Sequence, residues 1–95
     1  GQVIGIARIV ESQEDFWRIQ PGDILVCRST SPPWTPIFPV IGGLVTDAGG
    51  VLSHVAIVAR EYRLPAVMGT KVATRIIQDG QMLSLDGNAG IVHLL

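Results

Sequence analysis

Charge is scarce in this 95-residue chain: 16% of residues are charged, seven basic against eight acidic, for a formal net charge of -1. No basic run stands out, so there is no electrostatic footprint for nucleic acid or for an anionic membrane surface. No apolar stretch is long enough to span a bilayer, and no basic n-region of a secretory signal is present; a cytoplasmic location is the expectation. Cysteine occurs once, as Cys27 in a strand-like run. That excludes an intrachain disulfide, and a free thiol in a core suits a reducing compartment. Also lacking are a Walker A loop, a carboxylate cluster able to hold Mg2+ with a nucleotide, and a second basic clamp. A complete nucleotide-dependent reaction within these residues is thereby excluded.

What is present is apolar bulk. A hydrophobic content of 47% supports one sizeable core, and the length leaves room for a single domain over residues 1–95. Residues 2–10, Gln-Val-Ile-Gly-Ile-Ala-Arg-Ile-Val, are β-branched and read as a first strand. Ser12 followed by Gln13-Glu14-Asp15 predicts an N-cap and a short helix to about Ile19, packed through Phe16, Trp17 and Ile19. Pro21-Gly22-Asp23 is turn chemistry before a second strand, Ile24-Leu25-Val26-Cys27-Arg28. The stretch 29–36 carries three of the six prolines and four hydroxyls, so it reads as a shaped loop, with a turn of helix from Pro36 to Ile41. Leu44-Val45-Thr46 is expected as a third, central strand. Ala66-Val67-Met68 is a short buried one, a brief helix spans Val72 to about Ile77, and Met82–Asp86 with Ile91–Leu94 make a closing hairpin around Gly87-Asn88-Ala89-Gly90. Strands alternating with short helices imply an α/β architecture with a mixed sheet.

The stretch Gly49-Gly50-Val51-Leu52-Ser53-His54-Val55-Ala56-Ile57-Val58-Ala59-Arg60-Glu61 is the organising one. A glycine pair permits backbone conformations closed to other residues and leads into an apolar helix, from about Ser53 to Tyr62, with a histidine at the junction. The first N–H groups of a helix lack intrahelical partners and the macrodipole is positive there, so His54 stands beside an anion-favouring position. On pattern alone, such a histidine is more often a core or capping residue, and a serine before an apolar run is most often a cap. Arg60 falls about 9 Å along the helix and about 240° around it from His54. It does not share the histidine's face, and an ion pair or a contact with another domain is the better reading. Trp17 and Trp34 read as packing residues, and His93 has no ligand pattern near it.

This stretch, followed by Leu64-Pro65-Ala66-Val67-Met68-Gly69 and flanked by Gly22-Asp23-Ile24-Leu25-Val26, Thr30-Ser31-Pro32-Pro33-Trp34 and Asp86-Gly87-Asn88-Ala89-Gly90, resembles the mobile, phosphohistidine-carrying domain of phosphoenolpyruvate-utilising enzymes. The resemblance covers most of the chain. It implies a swivelling β/β/α domain of an ATP-dependent dikinase-type phosphotransferase, in which His54 takes a phosphoryl group at a nucleotide site and delivers it to an acceptor such as pyruvate. Gly49 and Gly50 would leave a donor room to approach, and Ser53 or Thr30 would offer a hydroxyl to a phosphoryl oxygen. The resemblance further implies nucleotide-binding and acceptor-binding domains on the same polypeptide. ATP and Mg2+ are expected there, with no cofactor or metal held by this chain. Where pyruvate phosphate dikinases usually carry Thr-Ser-His, Leu52 replaces the threonine; with the Pro-Pro-Trp-Thr-Pro loop this looks closer to the rifampicin-phosphotransferase and phenylphosphate-synthase-like branch.

Competing constellations are weaker. Ser53, His54 and Asp47 would suggest a hydrolase, but adjacent helix residues point about 100° apart and no Gly-x-Ser-x-Gly elbow exists. A metal site from His54, His93, Cys27 and Asp47 has no recognisable ligand spacing. An interaction module that keeps the fold without being phosphorylated, and a freestanding carrier charged in trans, are the alternatives.

Overall fold

A computed structural model describes residues 2–49 and 53–95, with Pro32 and His54 described by their backbone alone. Six strands, β1 (Gln2–Ile9), β2 (Ile24–Cys27), β3 (Gly43–Thr46), β4 (Ala66–Val67), β5 (Met82–Asp86) and β6 (Ile91–Leu94), form one mixed sheet in the order β4-β3-β2-β1-β5-β6. β1 through β4 pair in parallel, whereas β5 runs antiparallel to both β1 and β6. Two helices, α1 (His54–Glu61) and α2 (Ala73–Ile76), and two 3-10 helices, Gln13–Arg18 and Pro32–Ile37, fill the connections. The expected α/β class with a mixed sheet, short helices and a closing hairpin is the observed one. β3 is interior but lies second from the β4 edge; β2 and β1 hold the centre.

The period-2 alternation of side chains explains the two cores. Ile24 and Val26 of β2 face one cluster, with Ala7, Val45, Leu83 and Leu85, while Leu25 and Cys27 face another, with Leu44, Trp34, Phe38, Val55 and Val58. A strand buried on both faces needs a continuous apolar run, and Ile24–Cys27 supplies one. The sheet curls around the first cluster until β4 approaches β5. A Cβ at Gly87 would lie 2.9 Å from the Ala66 nitrogen, so only glycine lets the hairpin come this close. The outer cluster is roofed by α1 and the two 3-10 helices. Phe16 meets Trp34 edge-to-face with centroids 5.2 Å apart, and Phe38 meets Tyr62 at 6.2 Å.

Four local expectations change. Trp17 does not pack: it is 80% exposed. Phe16 in the helix and Ile19, the extended residue that caps it, pack against the outer cluster, and Trp17, next to Phe16, is turned about a third of a circle away from that face. Ser12 takes the extended cap conformation without a side-chain cap bond; Asp15 reaches back instead, its carboxylate accepting from the Glu11 N–H at 3.1 Å. The proline-rich helix starts at Pro32, four residues before the expected Pro36, and ends at Ile37. Prolines at its first positions forfeit only N–H groups that have no intrahelical partner there. α1 is also less uniformly buried than its composition suggests, since Ile57 is 45% exposed while Val55, Ala56, Val58 and Ala59 are buried.

Candidate functional site

Four parallel strands release their carboxyl ends on one side of the sheet, and the connections that follow them gather there. Those connections are fastened to one another. The Asp47 N–H donates to the Cys27 carbonyl at 3.1 Å and the Ala48 N–H to the Arg28 carbonyl at 2.9 Å, so the chain after β3 stays zipped to the chain after β2. On its other side, the Thr70 N–H and hydroxyl both donate to the Thr46 carbonyl at 3.1 Å, and the Lys71 N–H to the Asp47 carbonyl at 2.9 Å. The Asp47 carboxylate completes the clasp by accepting from the Thr74 N–H at 3.0 Å and from the Thr74 hydroxyl. Asp47 is thus an anchor for α2 rather than the acid of a triad. Sequence gives no sign of this partner, 27 residues away.

The segment held in this way leads into α1. Gly49 has φ of +108°, a backbone region closed to side-chain-bearing residues, and its carbonyl lies against Gly69, where a Cβ would stand 3.0 Å from it. Glycine is therefore dictated at both positions by backbone geometry, apart from any need to admit a ligand. Ser53 is the N-cap: its hydroxyl accepts from the Ala56 N–H at 3.3 Å and its carbonyl from the Ile57 N–H at 3.2 Å. His54 is the first residue of α1. Gly50 and Leu52 lie outside the described residues, as does the His54 imidazole. Arg60 is exposed near the other end of the helix.

Thr30 sits on the connection after β2. Its hydroxyl is buried and, among the described residues, has no hydrogen-bond partner. It lines a cavity of about 560 Å³ together with Arg28, Ser29, Ser31, Thr74 and Arg75. The two arginines were not read as site residues. Nothing in the spacing of positions 28 and 75 joins them; the topology does. Beneath this end of the sheet, burial and then the nearby Asp47 carboxylate push the Cys27 thiol up to about 12, which leaves it protonated and unreactive. Among the described residues no three His, Cys, Asp or Glu side chains come together in a way that could hold a metal ion, and no helix is long and apolar enough to cross a membrane.

The comparison with protein families decides the assignment: residues 19–90 match the model of the PEP-utilising enzyme mobile domain. The chain belongs to that family. Over its whole length this mobile domain is 48% identical to chondramide synthase cmdD of Chondromyces crocatus, of which it covers 2%. It is 47% identical to rifampicin phosphotransferase of Bacillus cereus, of which it covers 11%. An Enzyme I protein solved in solution by NMR superposes with a TM-score of 0.70 and 32% identity over 80% of this chain and 32% of that one. The mobile domain is a small part of each of these longer chains.

Proposed function

We propose that this mobile domain is the phosphocarrier of an ATP-dependent dikinase-type phosphotransferase, with His54 as its covalent relay. A neutral imidazole nitrogen attacks phosphorus, the new N–P bond forms as the P–O bond to the donor's leaving oxygen breaks, and a second transfer returns the histidine. The observation that carries this reading is the entry of α1: His54 opens the helix immediately after a serine cap, downstream of a positive-φ glycine. The positive end of a helix disfavours imidazolium and so keeps the nucleophile uncharged, and after transfer it favours the added negative charge. Ser53 fixes where the helix starts. Gly49 and Gly50 bring no side chain to the approach, and the clasp through Asp47 fixes the segment from which α1 springs.

The nucleotide with its Mg2+ and the acceptor belong, in this reading, to other domains of the same polypeptide in the cytoplasm, between which the mobile domain swivels. The length of the relatives supports this, since 11% of rifampicin phosphotransferase is matched. The acceptor is a small molecule, pyruvate or a hydroxyl-bearing compound; the 47% identity to rifampicin phosphotransferase favours the second. The test is to supply the enzyme containing this chain with ATP labelled at the β or the γ phosphate. Acid-labile label on the domain, lost in His54→Ala, is the expected result; absence of label, or undiminished label in the variant, overturns it.

A further inference from the structure

The cavity after β2 has features that the relay does not use. Arg28 and Arg75 line it against one carboxylate, Glu11, and neither arginine forms an ion pair among the described residues. The aspartates elsewhere are already engaged: Asp23 and Asp79 with Arg8 and Arg18, Asp47 with Thr74. Thr30 adds a buried hydroxyl without a partner. A guanidinium could donate to its oxygen but has no acceptor for its O–H. A ligand that brings oxygen acceptors and negative charge would give the buried hydroxyl its missing partner and pair with the two exposed guanidiniums.

We propose that the cavity is a phosphate-binding site, in which Arg28 and Arg75 neutralise a phosphate or pyrophosphate group and Thr30 donates to one of its oxygens. The guanidinium fork matches phosphate geometry, and a volume of about 560 Å³ admits a group of this size. A cation is repelled by the arginine pair, and a neutral carbonyl would satisfy Thr30 while leaving both charges. The walls are fixed to the segment after β3, since the Arg28 carbonyl accepts from Ala48 and Thr74 is clasped to Asp47. That the bound phosphate is the one exchanged with His54 rests on the relay reading; the binding itself does not.

The 95-residue chain, labelled with nitrogen-15, is titrated with pyrophosphate at constant ionic strength while its amide spectrum is followed. The expected result is saturable shifts at residues 28–31, 74 and 75, weakened about tenfold in Thr30→Val and restored in Thr30→Ser, the fold-change of one hydrogen bond to a charged group. Arg28→Gln with Arg75→Gln abolishes saturation while the dispersed spectrum of the folded chain persists. Absence of saturable shifts, or shifts unchanged in the double arginine variant, overturns the proposal. ATP and phosphoenolpyruvate as separate titrants distinguish a nucleotide from a phosphorylated acceptor as the natural source, and the tighter of the two identifies it. His54→Ala is expected to bind pyrophosphate as the parent does, so loss of the phosphohistidine label and loss of this site are separable failures.

Discussion

The two halves of the sheet fold around the same inner core yet handle their connections in opposite ways. On the antiparallel side, β5 and β6 are joined by a turn that satisfies itself: the Asp86 carboxylate accepts from the Asn88 and Ala89 N–H groups, and its carbonyl from Gly90. On the parallel side, the connections satisfy one another, Thr46 and Asp47 binding Thr70, Lys71 and Thr74 across sequence gaps of 24 to 27 residues. The antiparallel half is therefore locally closed and the parallel half is mutually tied. Parallel strands send every carboxyl end to one side, which collects α1, Thr30 and the arginine pair in one region. The candidate site lies where the connections depend on each other.

Breaking the tie should cost most. Asp47→Ala removes both acceptors of Thr74 in a part-buried place, and about 2–3 kcal/mol of stability should be lost in urea unfolding. Asp47→Asn keeps an acceptor for the Thr74 N–H and should recover most of it; equal loss in both variants would mean that the clasp is not what stabilises this end. A smaller effect is expected where the halves meet. Gly87→Ala places a methyl 2.9 Å from the Ala66 nitrogen and should cost about 1–2 kcal/mol. A neutral result would show that the curl has slack.

The smallest effect concerns pH. Burial tends to raise the Asp79 carboxyl, but the Ile9 N–H and the Arg18 and Arg8 guanidiniums outweigh it and hold the group below its usual range. A carboxyl depressed in the folded state adds stability above its unfolded pKa of about 3.9, and that contribution is lost as pH falls through the folded value. Asp79→Asn should therefore flatten the acid limb of the stability curve below about pH 4. Parallel curves for the parent and the variant would refute it.

Much of this was legible before any coordinates. Ile24–Cys27 and the hairpin strands carry unbroken β patterns between glycine-rich turns, so the local signal and the tertiary outcome agree. The entry of α1 was legible because a serine cap before an apolar run acts through nearest neighbours. Trp17 is exposed although aromatics at element ends usually pack: as the neighbour of the inward Phe16 it points about 100–120° away from that face in an α-helix and a 3-10 helix alike, and residue type does not encode which of two adjacent aromatics turns inward. The Asp47–Thr74 clasp and the arginine-lined cavity were illegible for a different reason. Their members meet only because β2, β3 and α2 are stacked side by side, and no local pattern encodes that adjacency.

The exposure of Trp17 has a practical consequence when set beside Trp34, which is 7% exposed and locked against Phe16. One indole should emit at the long wavelengths of a wet chromophore and yield to aqueous quenchers, while the other should emit at shorter wavelengths and resist them. The chain thus carries two native fluorophores of opposite sensitivity: the first registers anything that settles over Gln13–Arg18, and the second, which lines the cavity beside Thr30, registers a ligand entering that cavity or the opening of the outer core.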